Sequence, residues 1–274
     1  MFSVGYRGRV QTALRDALRG DRLVLCLALM NARTPDVPAI AAACGYDAVY
    51  VDLEHTSTSL ETAAMLCVSA VGAGISALVR VPPRSPSLIA RVLDGGAVGV
   101  IVPHVNSQDE AAAVVEAARF PPAGRRSISG PNAVSGYAPQ SGPELAQCLE
   151  HQTVVAVMVE TPQAVAASDE IAAVPGIDMV LIGPSDLTAE MGIHGQYENE
   201  HFRHAVESVA AACRAHGVAL GVAGIRSLDL LERFVGLGLR FVSAGTDVGM
   251  MTEAATARAR ALRELEGRRT STAE

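Results

Sequence analysis

Eight short apolar runs punctuate the chain: Leu23–Leu29, Ala48–Leu53, Ser76–Val81, Val98–Pro103, Val154–Val159, Met179–Ile182, Ala219–Ala223 and Phe241–Ala244. Each is apolar at nearly every position rather than at every second one, as in a strand covered on both faces. Between them, apolar residues recur at helical spacing, with Val37, Ile40 and Ala43 in Pro35–Cys44 and Leu60, Ala63, Ala64, Leu66 and Val71 in Ser59–Gly72. The same reading predicts helices over Ser87–Leu93, Ser107–Ala118, Glu144–Glu150, Pro162–Ala173, Glu200–His216, Ser227–Gly236 and Gly249–Glu266. Gly45 and Gly95–Gly96 follow two of these segments as helix stops. The first 22 residues read as a short amphipathic helix. One stretch breaks the rhythm: Phe120–Gly142 is rich in Pro, Gly and Ser and has no sustained period. A loop that long in a compact domain is a lid or specificity loop, or is disordered.

Buried strands alternating with helices imply a parallel sheet. Eight such units in about 250 residues fit a (β/α)8 TIM barrel, here a single α/β domain spanning the chain. An open doubly wound sheet has the same alternation, but no Gly-rich dinucleotide loop follows the first strand.

Composition narrows the chemistry. The chain is 49% hydrophobic with a net charge of −7, which argues against a nucleic-acid surface. No apolar run approaches the roughly 20 residues of a membrane span. The five cysteines (Cys26, Cys44, Cys67, Cys148 and Cys213) are scattered, fitting buried thiols in a reducing cytoplasm better than a disulfide or zinc framework. All 22 basic residues are arginine. Without lysine, chemistry through a Schiff base is excluded.

Charged residues gather where the strands end. AVYVDLEH stops on Asp52, Glu54 and His55, SALVRV carries Arg80, VAVMVET ends at Glu160, and MVLIGPSD runs into Asp186. In a barrel, the C-terminal strand ends form the site. Two carboxylates on successive strands suit Mg²⁺ or Mn²⁺, with water completing the shell. The alternative is that Glu160 and Asp186 cap helices, since Pro162 and Ser185 lie beside them. Arg80 offers planar donors to a carboxylate or an enolate oxygen. It could equally form a salt bridge with Asp52 or Glu54. His55 is the candidate general base. The other histidines (His104, His151, His194, His201, His204 and His216) have weaker claims, though His104 follows a strand end and could line the pocket. Ser127, Ser129 and Ser135 lack a nucleophile-elbow context.

DLEH, LVRV, VMVET and IGPSDLTAEMG, in this order, together with the Arg119–Ser127 segment, resemble the class II pyruvate aldolases. That family is typified by 4-hydroxy-2-oxoheptanedioate aldolase and 2-keto-3-deoxy sugar-acid aldolases, within the aldolase/citrate lyase superfamily. The resemblance covers about residues 22–262. It implies metal-dependent cleavage or condensation of 4-hydroxy-2-oxo acids to pyruvate and an aldehyde, through an enolate. It assigns the divalent ion (Mg²⁺ or Mn²⁺, with Co²⁺ or Zn²⁺ as alternatives) to Glu160 and Asp186, and the substrate carboxylate to backbone amides around Ser185 and Asp186. Arg80 would stabilise the enolate oxygen, His55 would be the base, and Asp52 would support the cluster. Asp94, in VLDGG, matches the family's histidine partner. It precedes the fourth strand, so it should serve His55 from a neighbouring subunit. The family is typically hexameric, with the last helix exchanged between protomers, which implies a homohexamer or trimer of dimers. Met158 stands where relatives with heptanedioate activity tend to carry Gln.

Two other readings remain. A citrate synthase-like or acyl-CoA lyase relative would use the same enolate, with Arg125–Arg126 as a thin candidate for a CoA groove. A non-catalytic scaffold gives no reason for acids, Arg and His to share strand ends.

Overall fold

The computed structural model describes residues 13–83 and 85–271. Of the amphipathic helix expected at the start, α1 (Ala13–Arg19) is seen, and residues 1–12 lie outside the described residues. Strands β1 (Val24–Leu29), β2 (Ala48–Asp52), β3 (Ser76–Arg80), β4 (Gly99–Val102), β5 (Val154–Val159), β6 (Met179–Ile182), β7 (Ala219–Ala223) and β8 (Leu239–Thr246) pair in sequence order, all parallel. β8 pairs back onto β1 and closes the barrel. Helices α2 (Asp36–Ala43), α3 (Leu60–Gly72), α4 (Pro86–Asp94), α5 (Gln108–Ala118) and α6 (Gly142–Gln152) return the chain between the first five strands. Then come α7 (Pro162–Ala166), α8 (Ser168–Ala172), α9 (Pro184–Glu190), α10 (Glu200–His216), α11 (Leu228–Gly236) and α12 (Asp247–Ser271). The chain is therefore a single (β/α)8 domain, and no helix among the described residues is long and apolar enough to cross a membrane.

The continuous apolar strands divide by parity. Val49, Val51, Val79, Val100, Val157 and Val180 face outward into the layer beneath the helices. Ala48, Tyr50, Leu78, Ile101, Ala156, Met158, Met179 and Leu181 fill the barrel interior. Side chains two residues apart share a face. Asp52 therefore follows Tyr50 inward, Arg80 follows Leu78, and Glu160 follows Met158. The period that packs the core also aims these polar groups into the mouth. Cys26, Cys67 and Cys213 are buried free thiols, as expected, whereas Cys44 is exposed and Cys148 half-buried; burial pushes Cys67 up to about 12.

Three local expectations need correction. The Pro162–Ala173 segment is two short helices, because Ala167 (φ −91°, ψ 6°) turns the chain between them. Helix α9 follows β6 directly, with Pro184 opening its first turn, where the sequence reading had no helix. The stretch 120–142 is no lid over its own barrel's mouth. Helix α5 carries the chain back to the N-terminal end of the barrel before the stretch begins. There Phe120, Ala133 and Val134 join the floor of the core with Leu14 and Leu18 of α1. The Asn132 side chain donates to Leu93 O at 3.2 Å and accepts from the Val134 and Ser135 amides, so an Asn-centred turn replaces regular structure. Beneath it, buried Arg119 donates to Asp178, Glu150 and Thr153 O, and Arg15 of α1 joins Asp178 at 2.8 Å.

Candidate active site

At the C-terminal mouth, β2 and β3 run in register with Asp52 opposite Arg80. The guanidinium meets the carboxylate through two parallel bonds, Nε to Oδ1 at 2.9 Å and Nη2 to Oδ2 at 2.8 Å. Asp52 is fully buried, and its Oδ1 also accepts the Glu54 amide at 3.0 Å. A third contact sets Arg80 Nη1 3.2 Å from Glu54 Oε2. Burial alone would discourage the charge on Arg80. Asp52, Tyr50 and Glu54 outweigh it and raise the guanidinium further above its ordinary value. Arg80 is thus ion-paired with both acids, the bridge the sequence allowed, and its hydrogen bonds to Asp52 use two of its five N–H groups.

His55 lies at the rim, 57% exposed, with Nε2 3.5 Å from Glu54 Oε2. Opposite it, Glu160 is 2% exposed at the end of β5. Burial raises its carboxyl above the usual range. Nearby Asp186 and Glu54 add to this, while the His104 amide and ring pull the other way. Neither acid is a helix cap. Thr161 caps α7 by accepting from Ala164, and Gly183 holds the N-cap position of α9, with Asp186 inside the first turn. Ser185 is exposed beside Asp186, its Oγ 3.4 Å from the Tyr197 hydroxyl.

The structure brings His104 into this cluster. Its ring sets Nε2 3.4 Å from Glu54 Oε1 and Nδ1 3.4 Å from Glu160 Oε2, while its amide donates to that same Oε2 at 2.9 Å. The sequence signal was its place just past β4, which alone gave it a weak claim. His151 lies on α6 and His201, His204 and His216 on α10, in the helical layer around the barrel.

Asp94 is not part of the cluster in its own chain. It ends α4 at the opposite face of the barrel and accepts from buried Arg126 at 2.8 Å. Arg125 pairs with Glu116 nearby. Arg125 and Arg126 therefore lie away from this chain's own mouth.

The residues fit a hard divalent cation. Among the described residues, no group of three or more His, Cys, Asp or Glu makes a ready metal cluster. Glu160 and Asp186 nonetheless repel each other across the mouth, and Glu54 Oε2 is buried without a hydrogen bond. A cation between Glu160 and Asp186 would relieve this repulsion and leave positions for water or a bidentate ligand.

Residues 26–254 match the HpcH/HpaI aldolase/citrate lyase family. The chain belongs to that family. Aldolases of the HpcH/HpaI family cleave 4-hydroxy-2-oxo acids to pyruvate and are generally dependent on a divalent metal. The chain is 35% identical over 245 residues to 4-hydroxy-4-methyl-2-oxoglutarate aldolase tasA of Hapsidospora irregularis, covering 88% of this chain and 91% of that protein. The structure of an HpcH/HpaI aldolase from Desulfitobacterium hafniense superposes with a TM-score of 0.86 at 29% identity, over 92% of this chain and 96% of that one. Citrate synthase SbnG superposes with a TM-score of 0.83 at 28% identity, over 93% and 98%.

Proposed function

We propose that this chain is a divalent-metal-dependent aldolase that splits a 4-hydroxy-2-oxo acid into pyruvate and an aldehyde or ketone, and condenses them in reverse. The observation carrying this reading is the single mouth that gathers Glu160, Asp186, Arg80 and His55 in a chain without lysine. Glu160 and Asp186 would hold Mg²⁺ or Mn²⁺. The ion supplies Lewis-acid polarisation of the 2-oxo group, the electron sink that an iminium would otherwise provide.

The other steps belong to the chain's own groups. The Ser185 and Asp186 amides precede the first intrahelical bond of α9, Leu187 N–H to Gly183 O, and so can receive the substrate carboxylate. The remaining N–H groups of Arg80 donate to the 2-oxo oxygen as it gains charge, held in aim by Asp52. His55 takes the proton from the C4 hydroxyl. The C3–C4 bond breaks, its electrons moving into the enolate, which is protonated at C3 to give pyruvate.

Two features support a homo-oligomer of the hexameric kind. Residues 251–265 of α12 are exposed, including Met251, Leu262 and Leu265, as a helix seated on a second copy would be. Among the described residues of its own chain His55 has Glu54 as its acidic neighbour, and Asp94 of a second copy would orient it. A cytoplasmic location fits the unpaired thiols.

The test is pyruvate release from synthetic 4-hydroxy-2-oxo acids with Mg²⁺ or Mn²⁺. The likeness to citrate synthase SbnG supports one other reading, condensation of the same enolate onto oxaloacetate. Citrate formation with no cleavage of any 4-hydroxy-2-oxo acid would replace the aldolase reading with that one.

A further inference from the structure

We propose that His104 and Gly183 are positioning residues that fix the Glu160 carboxylate, committing one oxygen to the protein and presenting the other to the cation position beside Asp186. This rests on the metal-dependent reading above.

The two oxygens of Glu160 have different surroundings. Oε2 accepts the His104 amide at 2.9 Å and faces the ring Nδ1 at 3.4 Å. Oε1 lies against Gly183, where a Cβ would stand 2.5 Å from Oε1 and 2.7 Å from Cγ. Gly183 has φ −99°, open to any residue. Glycine is needed there for space rather than for backbone freedom. Gly183 begins the turn that carries Asp186, so Oε1 packs against the segment that delivers the second carboxylate.

His104 reaches Oε2 by adopting φ 54°, a left-handed conformation that a non-glycine residue takes at a penalty. Its neighbours hold it there. The Val105 amide donates to Met158 O at 3.3 Å, and the Asn106 side chain donates to His104 O at 3.0 Å. The left-handed turn brings amide and ring onto the same oxygen, and the far side of the ring meets Glu54. Histidine at this position thus spans acids delivered by β2 and β5, the two sides of the mouth.

The test measures Mn²⁺ affinity by electron paramagnetic resonance, and melting temperature without metal, for the whole chain and for His104→Gly, His104→Asn and Gly183→Ala. Glycine and asparagine both tolerate the left-handed turn, so the metal-free melting temperature should stay close to that of the parent chain. Losing the ring should still weaken Mn²⁺ binding about tenfold or more, the usual effect of removing a group that orients a metal ligand. Gly183→Ala should weaken it as well. Mn²⁺ binding within twofold of the parent in both His104 variants would overturn the inference. So would a loss of affinity that only tracks a loss of melting temperature. A parent chain that binds no Mn²⁺ would instead overturn the metal-dependent reading itself, and this inference with it.

Discussion

Asp52 and Arg80 are the most interdependent residues of the mouth. Removing the guanidinium leaves a fully buried carboxylate without its partner, and breaking such a pair costs about 3–5 kcal/mol. Arg80→Ala should therefore lower stability by that order in urea unfolding as well as abolish turnover. Arg80→Lys keeps a charge but not the two-pronged contact, and should lose kcat more than stability. Glu160 has the opposite sign. Its carboxyl is raised mainly by burial, so the fold favours the protonated form. Stability lost to this group is absent in acid, grows as pH rises through the ordinary carboxylate value, and is fully present above the raised value. Metal-free Glu160→Gln should thus melt higher than the parent at neutral pH, with the gap closing in acid, while metal-dependent activity falls to background. A lower melting temperature at pH 7 would contradict this. Asp52, Arg80 and Glu160 were legible in the sequence because strand parity both buries their neighbours and aims them. His104 was not. Its part depends on a left-handed turn and on acids 50 and 56 positions away, as a position beyond a strand end does not reveal.

Among the elements, the loop between β1 and α2 hangs on a single side chain. Asp247, the first residue of α12, accepts the amides of Met30, Asn31 and Ala32 at 3.0, 3.0 and 2.7 Å. Asp247→Ala leaves three donors without that acceptor. It should destabilise the chain by about 1–3 kcal/mol in chemical denaturation and raise KM, because this loop borders the mouth. An unchanged KM would separate the loop from substrate binding. The strands were readable to within one or two residues because burial on both faces leaves an unbroken apolar run. Of the readings left open for the stretch 120–142, the lid over its own mouth is the one the topology removes. The stretch's content pointed to a loop, but its location follows from α5 running back down the barrel, which only the topology tells. Helix α9 went unseen because PSDLTAE is too short to show a period.

For the whole molecule, the proposed homo-oligomer would seat the exposed α12 on a second copy and bring that copy's Asp94 to His55. Deleting residues 251–274 should reduce the mass seen by light scattering and lower activity, with the barrel's circular dichroism kept. Formation of a pyruvate enolate at this mouth with the help of a divalent ion can be tested without knowledge of the second substrate. Pyruvate incubated with the chain in D₂O, with Mg²⁺ or Mn²⁺ and then with EDTA, is followed by NMR at its methyl group. Deuterium uptake should depend on the metal and be lost in Glu160→Gln and Arg80→Ala. Uptake that persists in EDTA, or none with any divalent ion, would contradict metal-assisted enolate formation.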